Sequence, residues 1–180
     1  MKREMKIVPY SNQWDEQYIE IKEILLKIFT DNAIDIQHFG STAIKRMPSK
    51  PIIDVMVIVK DISKVDEFNA DMVAAGYNPR GENGIVGRRY FQKIASDGIT
   101  HLEHIHCYEA TNPHVADELL FRDYLRINKD AFEKYMTLKL EASEKYRFEP
   151  EKYSEFKSQC VSEILELAKV LSYDQTINLQ

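Results

Sequence analysis

The chain is poor in cysteine: among 180 residues there are two, Cys107 and Cys160. That excludes a disulfide scaffold and a four-cysteine zinc site, and it fits a reducing compartment. Glycine and proline are sparse, six of each, and they punctuate the chain without building a linker; no repeat or low-complexity tract occurs. Long apolar runs are missing. The longest plain one, Val55–Val59, falls far short of the roughly 20 residues that span a bilayer. After the charged start Met1–Lys6, only Ile7 and Val8 precede Pro9, too little for a signal-peptide apolar region. An excess of positive charge is also lacking. Lys+Arg total 24 against 29 for Asp+Glu, a net charge of −5, which excludes a chain-wide basic footprint for nucleic acid. Neither a G-x-x-x-x-G-K-[ST] loop nor a G-x-S-x-G elbow is present. These absences lead us to expect one cytoplasmic domain over 1–180, with a core at about 7–170 and a frayed tail at 172–180. Neither a membrane nor nucleic acid is expected as a partner.

What is present reads as an α/β (α+β) domain, a mixed sheet flanked by helices with a helical C-terminal part. Trp14, Tyr18, Ile21, Leu25 and Ile28 recur at helical spacing behind a cap at Ser11 or Asn12. Ile34–Phe39 alternates as a strand, Gly40 ends it, and Ser41–Ile44 forms a short helical turn. Ile52–Val59, eight residues of which seven are apolar, predicts a central strand buried on both faces. Ser63 with Asp66 predicts a capping box, opening a helix that buries Val65, Phe68, Met72 and Ala75 and closes at Gly76. Pro79–Gly87 predicts a mobile loop. Arg88–Ile94 and Thr100–Tyr108 predict a hairpin turned at Asp97-Gly98. From Val115 to Leu171 the chain is helical, restarting at Asp130 with Glu133 and at Pro150.

Three features carry chemistry. Asp54 interrupts the apolar strand, and a carboxylate there must be paired, hydrogen-bonded or bound to a cation. Gly40, Ser41 and Thr42 follow a strand and open a helical turn whose N–H groups suit a phosphate. His104 and His106, two apart on a strand, share a face and can present two imidazoles to one metal; His101 is placed on the opposite face with Glu103. If their strand neighbours that of Asp54, the three side chains converge as a facial site. Lys45, Arg46 and Lys50, then Arg88, Arg89 and Lys93, are cations that can oppose a phosphate, or else are solvated surface. Arg122 and Arg126 share a helix face and either assist or pair with Asp123, Asp130 or Asp54.

In order, the segments His38-Phe39-Gly40-Ser41-Thr42-Ala43, Lys50-Pro51-Ile52-Ile53-Asp54, His104-Ile105-His106 and Phe121-Arg122-Asp123-Tyr124-Leu125-Arg126 resemble the signature of the GrpB family. Tyr10 and Trp14 before them, and Tyr135, Lys139, Tyr153 and Lys157 after them, extend the likeness. The resemblance implies a nucleotidyltransferase-like fold. In polymerase-β-type transferases a Gly-Ser turn precedes a strand bearing Asp-x-Asp, whose carboxylates hold divalent metals bridging a nucleoside triphosphate. Gly40 and Ser41 match the turn and Asp54 the first acid; the second position is Met56, which cannot bind a hard cation. In some bacteria a GrpB-like domain is fused to dephospho-coenzyme A kinase. Three accounts therefore stand at this point. One is a transferase for a nucleotide or other phosphorylated small molecule. There Gly40, Ser41, Thr42 and Arg89 hold phosphate, Asp54, His104 and His106 hold a divalent ion (Mg, Mn, Zn or Ni), and Lys50 and Arg122 join Asp54 in catalysis. The second is a non-catalytic nucleotide- or coenzyme A-related binding or folding-assistance module. The third makes Asp54, Arg122 and the histidines a structural network.

Overall fold

The computed structural model describes residues 4–177, with side chains as far as Ser172. Helix α1 (Gln13–Phe29) begins where the Ser11 hydroxyl accepts the Gln13 N–H at 3.2 Å, and its stripe buries Trp14, Ile21, Leu25 and Phe29. A 3-10 turn leads into β1 (Ala33–Phe39), Gly40 and a second 3-10 turn (Ser41–Ala43) follow, and the chain returns as β2 (Ile53–Val59). A 3-10 segment (Ser63–Phe68), α2 (Asn69–Ala74) and the two-residue edge strand β3 (Asn78–Pro79) then cross over to β4 (Arg89–Ile94) and β5 (His101–Glu109). Three helices close the chain: α3 (Pro113–Ile127), α4 (Lys129–Lys145) and α5 (Pro150–Ile177). Helix α5 continues past Ser172, where fraying is expected from the sequence; 178–180 lie outside the described residues. Among the described residues no helix is long and apolar enough to cross a membrane.

Two expected helix starts are corrected. The Ser63/Asp66 capping box does not form: the Ser63 hydroxyl donates to Asp61 Oδ1 at 2.6 Å, and Asp66 is taken by Arg89. An acid two residues upstream competes for a serine hydroxyl that would otherwise cap. Helix α4 is capped two residues before Asp130, by Asn128, whose Oδ1 accepts the Ala131 N–H at 2.9 Å. The expected hairpin turn is present. Gly98 adopts φ 70°, and Asp97 Oδ1 accepts the N–H groups of Ile99 and Thr100, each at 2.8 Å.

The five strands run in the order β1-β2-β5-β4-β3, with β2 and β5 parallel and the other pairs antiparallel. Alternation divides β2 between two layers. Ile53, Val55, Val57 and Val59 join Ile105, Cys107, Phe91 and the inner stripe of α1 in the principal core. Met56 and Ile58 face the other way, against Phe39, Tyr108 and Val115 of α3. Each such fully buried side chain contributes about 1.5–3 kcal/mol, so β2 tolerates a polar residue only where something specific receives it.

Arg122 fastens α3 to the sheet. It is buried, and it donates to Asp123 from Nε and Nη2, and to Gln37 Oε1 and the His38 carbonyl from Nη1 at 2.9 and 2.8 Å. All these bonds are internal to the fold. His38 stacks on Tyr18 and is buried as well. Thr42 Oγ1 donates to the Ile52 carbonyl, so it accepts from His38 Nε2–H at 3.1 Å, which places a proton on Nε2. Burial lowers the His38 imidazole to about 4, with Arg126 and Arg122 assisting and Asp15 and Asp54 opposing.

Two outcomes follow from this layer. Arg122→Ala should lower stability by about 2–4 kcal/mol in urea or guanidinium unfolding, because it strands buried acceptors, and Arg122→Lys should restore little. For His38, the unfolded imidazole binds a proton more readily than the folded one, so its contribution is complete above pH about 6.5 and is lost as pH falls towards 4. Unfolding curves between those pH values should include a His38 contribution on the order of 3 kcal/mol, so that His38→Gln makes the loss shallower while the part due to the lowered His106 remains.

Candidate functional site

Asp54 stands at the start of β2, and parallel pairing sets it beside His104 and sets Met56 beside His106. In a parallel pair, partners at one level share a face, so a carboxylate and two imidazoles emerge together. One ligand atom from each of Asp54, His104 and His106 lies within 4.8 Å of the other two. Asp54 Oδ1 is 3.1 Å from His104 Nδ1. The carboxylate leans on Gly40: a Cβ built there would meet Asp54 Oδ2 at 2.6 Å, and Gly40 holds φ 67°. The turn glycine thus gives way to the acid as well as serving the chain reversal. Burial would raise the Asp54 carboxyl, but the His104 hydrogen bond, with His106 and Lys50 nearby, brings it below the usual carboxylate range.

His106 is neutral at physiological pH, since burial lowers it to about 3 against the pull of Asp54. Arg88 Nη1 lies 3.4 Å from His106 Nδ1 and, being a donor only, makes that nitrogen the acceptor. Arg88 is itself fixed by the carbonyls of Glu82 and Asn83 and stacks 4.7 Å from the Tyr90 ring centre. It holds the predicted 79–87 loop against the site. Histidine 101 also reaches in, which corrects its placement on the opposite face: His101 Nδ1 is 2.8 Å from His104 Nε2. The reason is an irregularity in the β4/β5 register, where Lys93 faces Glu103 but Ile94 faces His101. That shift by one residue reverses the alternation.

Other expected residues lie elsewhere. Arg89 points away from the imidazoles, opposite Cys107, and its Nε donates to both carboxylate oxygens of Asp66 at 2.9 and 3.0 Å; it is not placed for phosphate. Thr42 is buried and spends its hydroxyl on Ile52 and His38. Ser41 lies close enough to the Tyr135 phenol to ease its ionisation against the effect of burial. Lys50 lies 5.0 Å from the Tyr153 ring centre and is felt by Asp54.

Glu118 of α3 escaped the sequence reading. Burial pushes its carboxyl up to about 7, reinforced by Asp54 and Asp117 and opposed by Arg88 and Lys157. A signal existed, since Val115, Glu118, Leu119 and Arg122 recur at one-turn spacing on the face that packs on the sheet. Lys157 of α5 is lowered to about 8 by burial, with Asp54 and Glu118 pulling the other way. A surface recess of about 500 Å³ is lined elsewhere, by Lys45, Arg46, Arg126, Lys129 and Phe132 among others, and none of these is a residue of the carboxylate–imidazole cluster.

A family model described as GrpB protein matches residues 4–167. UPF0157 protein YqkA of Bacillus subtilis is 40% identical over 93% of this chain and 48% of its own length, so the chain spans about half of that relative. Glutamate-rich protein GrpB of Alkalihalophilus pseudofirmus is 34% identical over 91% of this chain and 95% of that protein. A dephospho-CoA kinase of Mycobacterium bovis is 29% identical over 76% of this chain and 39% of the kinase. Among solved structures, conserved protein GrpB from Enterococcus faecalis superposes with TM-score 0.87 at 32% identity, covering 93% of this chain and 99% of that one. Cid1 poly(U) polymerase superposes with TM-score 0.51 at 12% identity, covering 76% of this chain and 42% of that one, a likeness of nucleotidyltransferase-like fold alone.

The contact between Gly40 and Asp54 has a direct test. Gly40→Ala combines left-handed backbone strain with displacement of the carboxylate, and it should cost about 2–4 kcal/mol in chemical unfolding. NMR signals of His104 should shift with the loss of the Asp54 bond.

Proposed function

This chain belongs to the GrpB family, and from that premise we propose that it binds a nucleotide or another phosphorylated small molecule at a divalent-metal site on Asp54, His104 and His106 and transfers part of it. The observation that carries the reading is the convergence of one carboxylate and two imidazoles from adjacent parallel strands, within 4.8 Å. Mg²⁺ favours oxygen ligands, and Met56, fully buried in an apolar cluster, contributes none. Two nitrogens and one oxygen suit Zn²⁺, Mn²⁺ or Ni²⁺. Such an ion, when bound, supplies Lewis acidity to a phosphoryl oxygen.

The chain's own groups are arranged for that chemistry. Asp54 stays ionised, and His106 stays neutral, the state in which an imidazole ligates. Arg88 fixes the ring of His106. His104 uses both ring nitrogens within the protein, so ligation at Nδ1 exchanges its proton for the ion while His101 still bonds Nε2. Lys50 sits near enough to offset ligand charge, and Gly40 keeps the approach open. A second reading, a binding module without turnover, is favoured by one observation: an apolar methionine fills the place of the second acid.

Calorimetric titration with Zn²⁺, Mn²⁺ and Ni²⁺ tests the site. One equivalent should bind, and Asp54→Asn should weaken it at least about tenfold, as the loss of a ligand exceeds outer-shell changes. Unchanged affinity in that variant would sink the metal reading. ATP, CTP and coenzyme A incubated with the loaded protein then separate transferase from module: a product of group transfer supports the first, and saturable binding without product the second.

A further inference from the structure

The recess beyond the Gly-Ser turn takes no part in the metal reading. Its volume of about 500 Å³ lies within the roughly 300–1,000 Å³ usual for small-molecule sites. The loop after that turn, the end of α3 and the start of α4 form its walls. Leu125, Ile127 and Phe132 supply apolar surface, and Ile127 is 77% exposed, so part of that surface stands uncovered. The loop is built to turn charge towards it. Ile44 and Met47 are both buried in the helical core, and the Met47 N–H donates to the Ile44 carbonyl at 3.1 Å. Lys45 and Arg46 are the two central residues of the turn so closed, and both are exposed. Arg46 adopts φ 67°. That left-handed conformation suits glycine or asparagine, and a long side chain takes it only against steric resistance.

Charge decides what the recess can hold. Four cations line it, and two of them are already engaged. Arg126 donates to the Ala43 carbonyl from Nε and Nη2 at 3.2 and 2.8 Å, and to Asp123 from Nη1 at 3.0 Å. Lys129 Nζ lies 3.6 Å from Glu133 Oε1. Lys45 and Arg46 form no ion pair among the described residues. One acid, Asp15, also lines the recess; it accepts the Tyr10 hydroxyl at 3.1 Å and lies 3.9 Å from His38 Nδ1. Two unpaired cations against that one acid leave a surplus of about one positive charge beside apolar surface.

We infer that this recess is a second ligand site, one that takes a small aromatic monocarboxylate, with the ring on Leu125, Ile127 and Phe132 and the carboxylate on Arg46 with Lys45 beside it. A guanidinium fork meets a carboxylate through two parallel N–H···O bonds, a match that an ammonium cannot make. A flat ring covers the exposed flank of Ile127 and packs against Phe132. A single carboxylate meets the surplus of about one charge. A di- or triphosphate would bring more negative charge than the lining answers and would leave the apolar wall bare. Asp54, His104 and His106 do not line this recess, so the inference stands apart from the metal reading.

Naphthalene-1-carboxylate, titrated into the full chain in EDTA and followed by NMR of isotope-labelled isoleucine methyl groups, tests the site. It should bind saturably, with ligand-to-protein NOEs at Ile127. Naphthalene-1-methanol, which keeps the ring and lacks the charge, and acetate, which keeps the charge and lacks the ring, should each bind at least about tenfold more weakly. Arg46→Gly should weaken the naphthalene carboxylate about tenfold or more. Its urea midpoint should not fall, because glycine relieves the turn. Lys45→Gln, which leaves the turn untouched, should weaken the same ligand by a smaller factor. The inference is overturned by the absence of saturable binding, by NOEs at other isoleucines with none at Ile127, by equal affinity for the uncharged alcohol, or by unchanged affinity in both variants. With metal removed by EDTA, none of these results bears on the zinc and manganese titrations.

Discussion

A carboxylate near the start of an otherwise apolar strand is the constraint around which this protein is arranged. Removing an ion from water costs several kcal/mol even after relaxation, and Asp54 recovers that cost through a small set of neighbours. His104 supplies a hydrogen bond, and Gly40 supplies the space. Each has a consequence for the fold. The space requires β1 to end in a residue without a side chain. The hydrogen bond requires β5 to run parallel to β2 in a single register, since a slip by one residue would send both imidazoles into the apolar layer with Cys107 and Ile105. Parallel pairing in turn requires the long crossover through α2, β3 and β4, and the last part of that crossover carries Arg88 to His106.

The surrounding arginines separate structure from site. A buried acid retained only for architecture is best served by a guanidinium, whose forked donors satisfy both oxygens. Two such groups lie close by, and both are occupied: Arg122 on Asp123, Gln37 and the His38 carbonyl, and Arg126 on Asp123 and the Ala43 carbonyl. These arginines secure α3 and the Gly-Ser turn from outside. Asp54 is left with imidazoles, which are weaker and exchangeable partners. That division argues against a purely structural network and in favour of a position that a ligand enters.

Much of this was legible in the residues. The stripe of α1, the doubly buried β2, the Asp-Gly hairpin and the proline start of α5 follow from periodicity and backbone chemistry, and the shared face of His104 and His106 follows from alternation. The sequence was less informative wherever one side chain had several suitors. Ser63 had Asp61 closer than its expected cap partner; Thr42 had His38 and a carbonyl; Arg89 had Asp66 within reach across the sheet edge. His101 could not be assigned because an irregularity in strand register leaves no mark in composition. Glu118 and the lysines of α4 and α5 reach the site only through helix packing, so their roles depend on tertiary contacts that no local pattern encodes.

Met56 and the imidazoles together change what the site asks of its ligand. A site with two hard cations needs several carboxylates to offset four positive charges, and it can then accept a triphosphate whose charge is largely met by metal. Here, under the proposed reading, one ion would face one ionised carboxylate and neutral nitrogens, leaving about one positive charge. Glu118, raised to about 7, adds only a part of a negative charge near neutrality. The remaining attraction for an anion must come from the protein. Lys139 of α4 and Lys157 of α5, resting on the rings of Tyr135 and Tyr153 and in no ion pair among the described residues, are a physically reasonable way to provide it. An apolar Met56 on β2 and the lysines of α4 and α5 are then two sides of one electrostatic balance. Placing an acid at position 56 alone would disturb that balance, because it would bury a second carboxylate in the apolar cluster of Phe39, Ile58 and Tyr108.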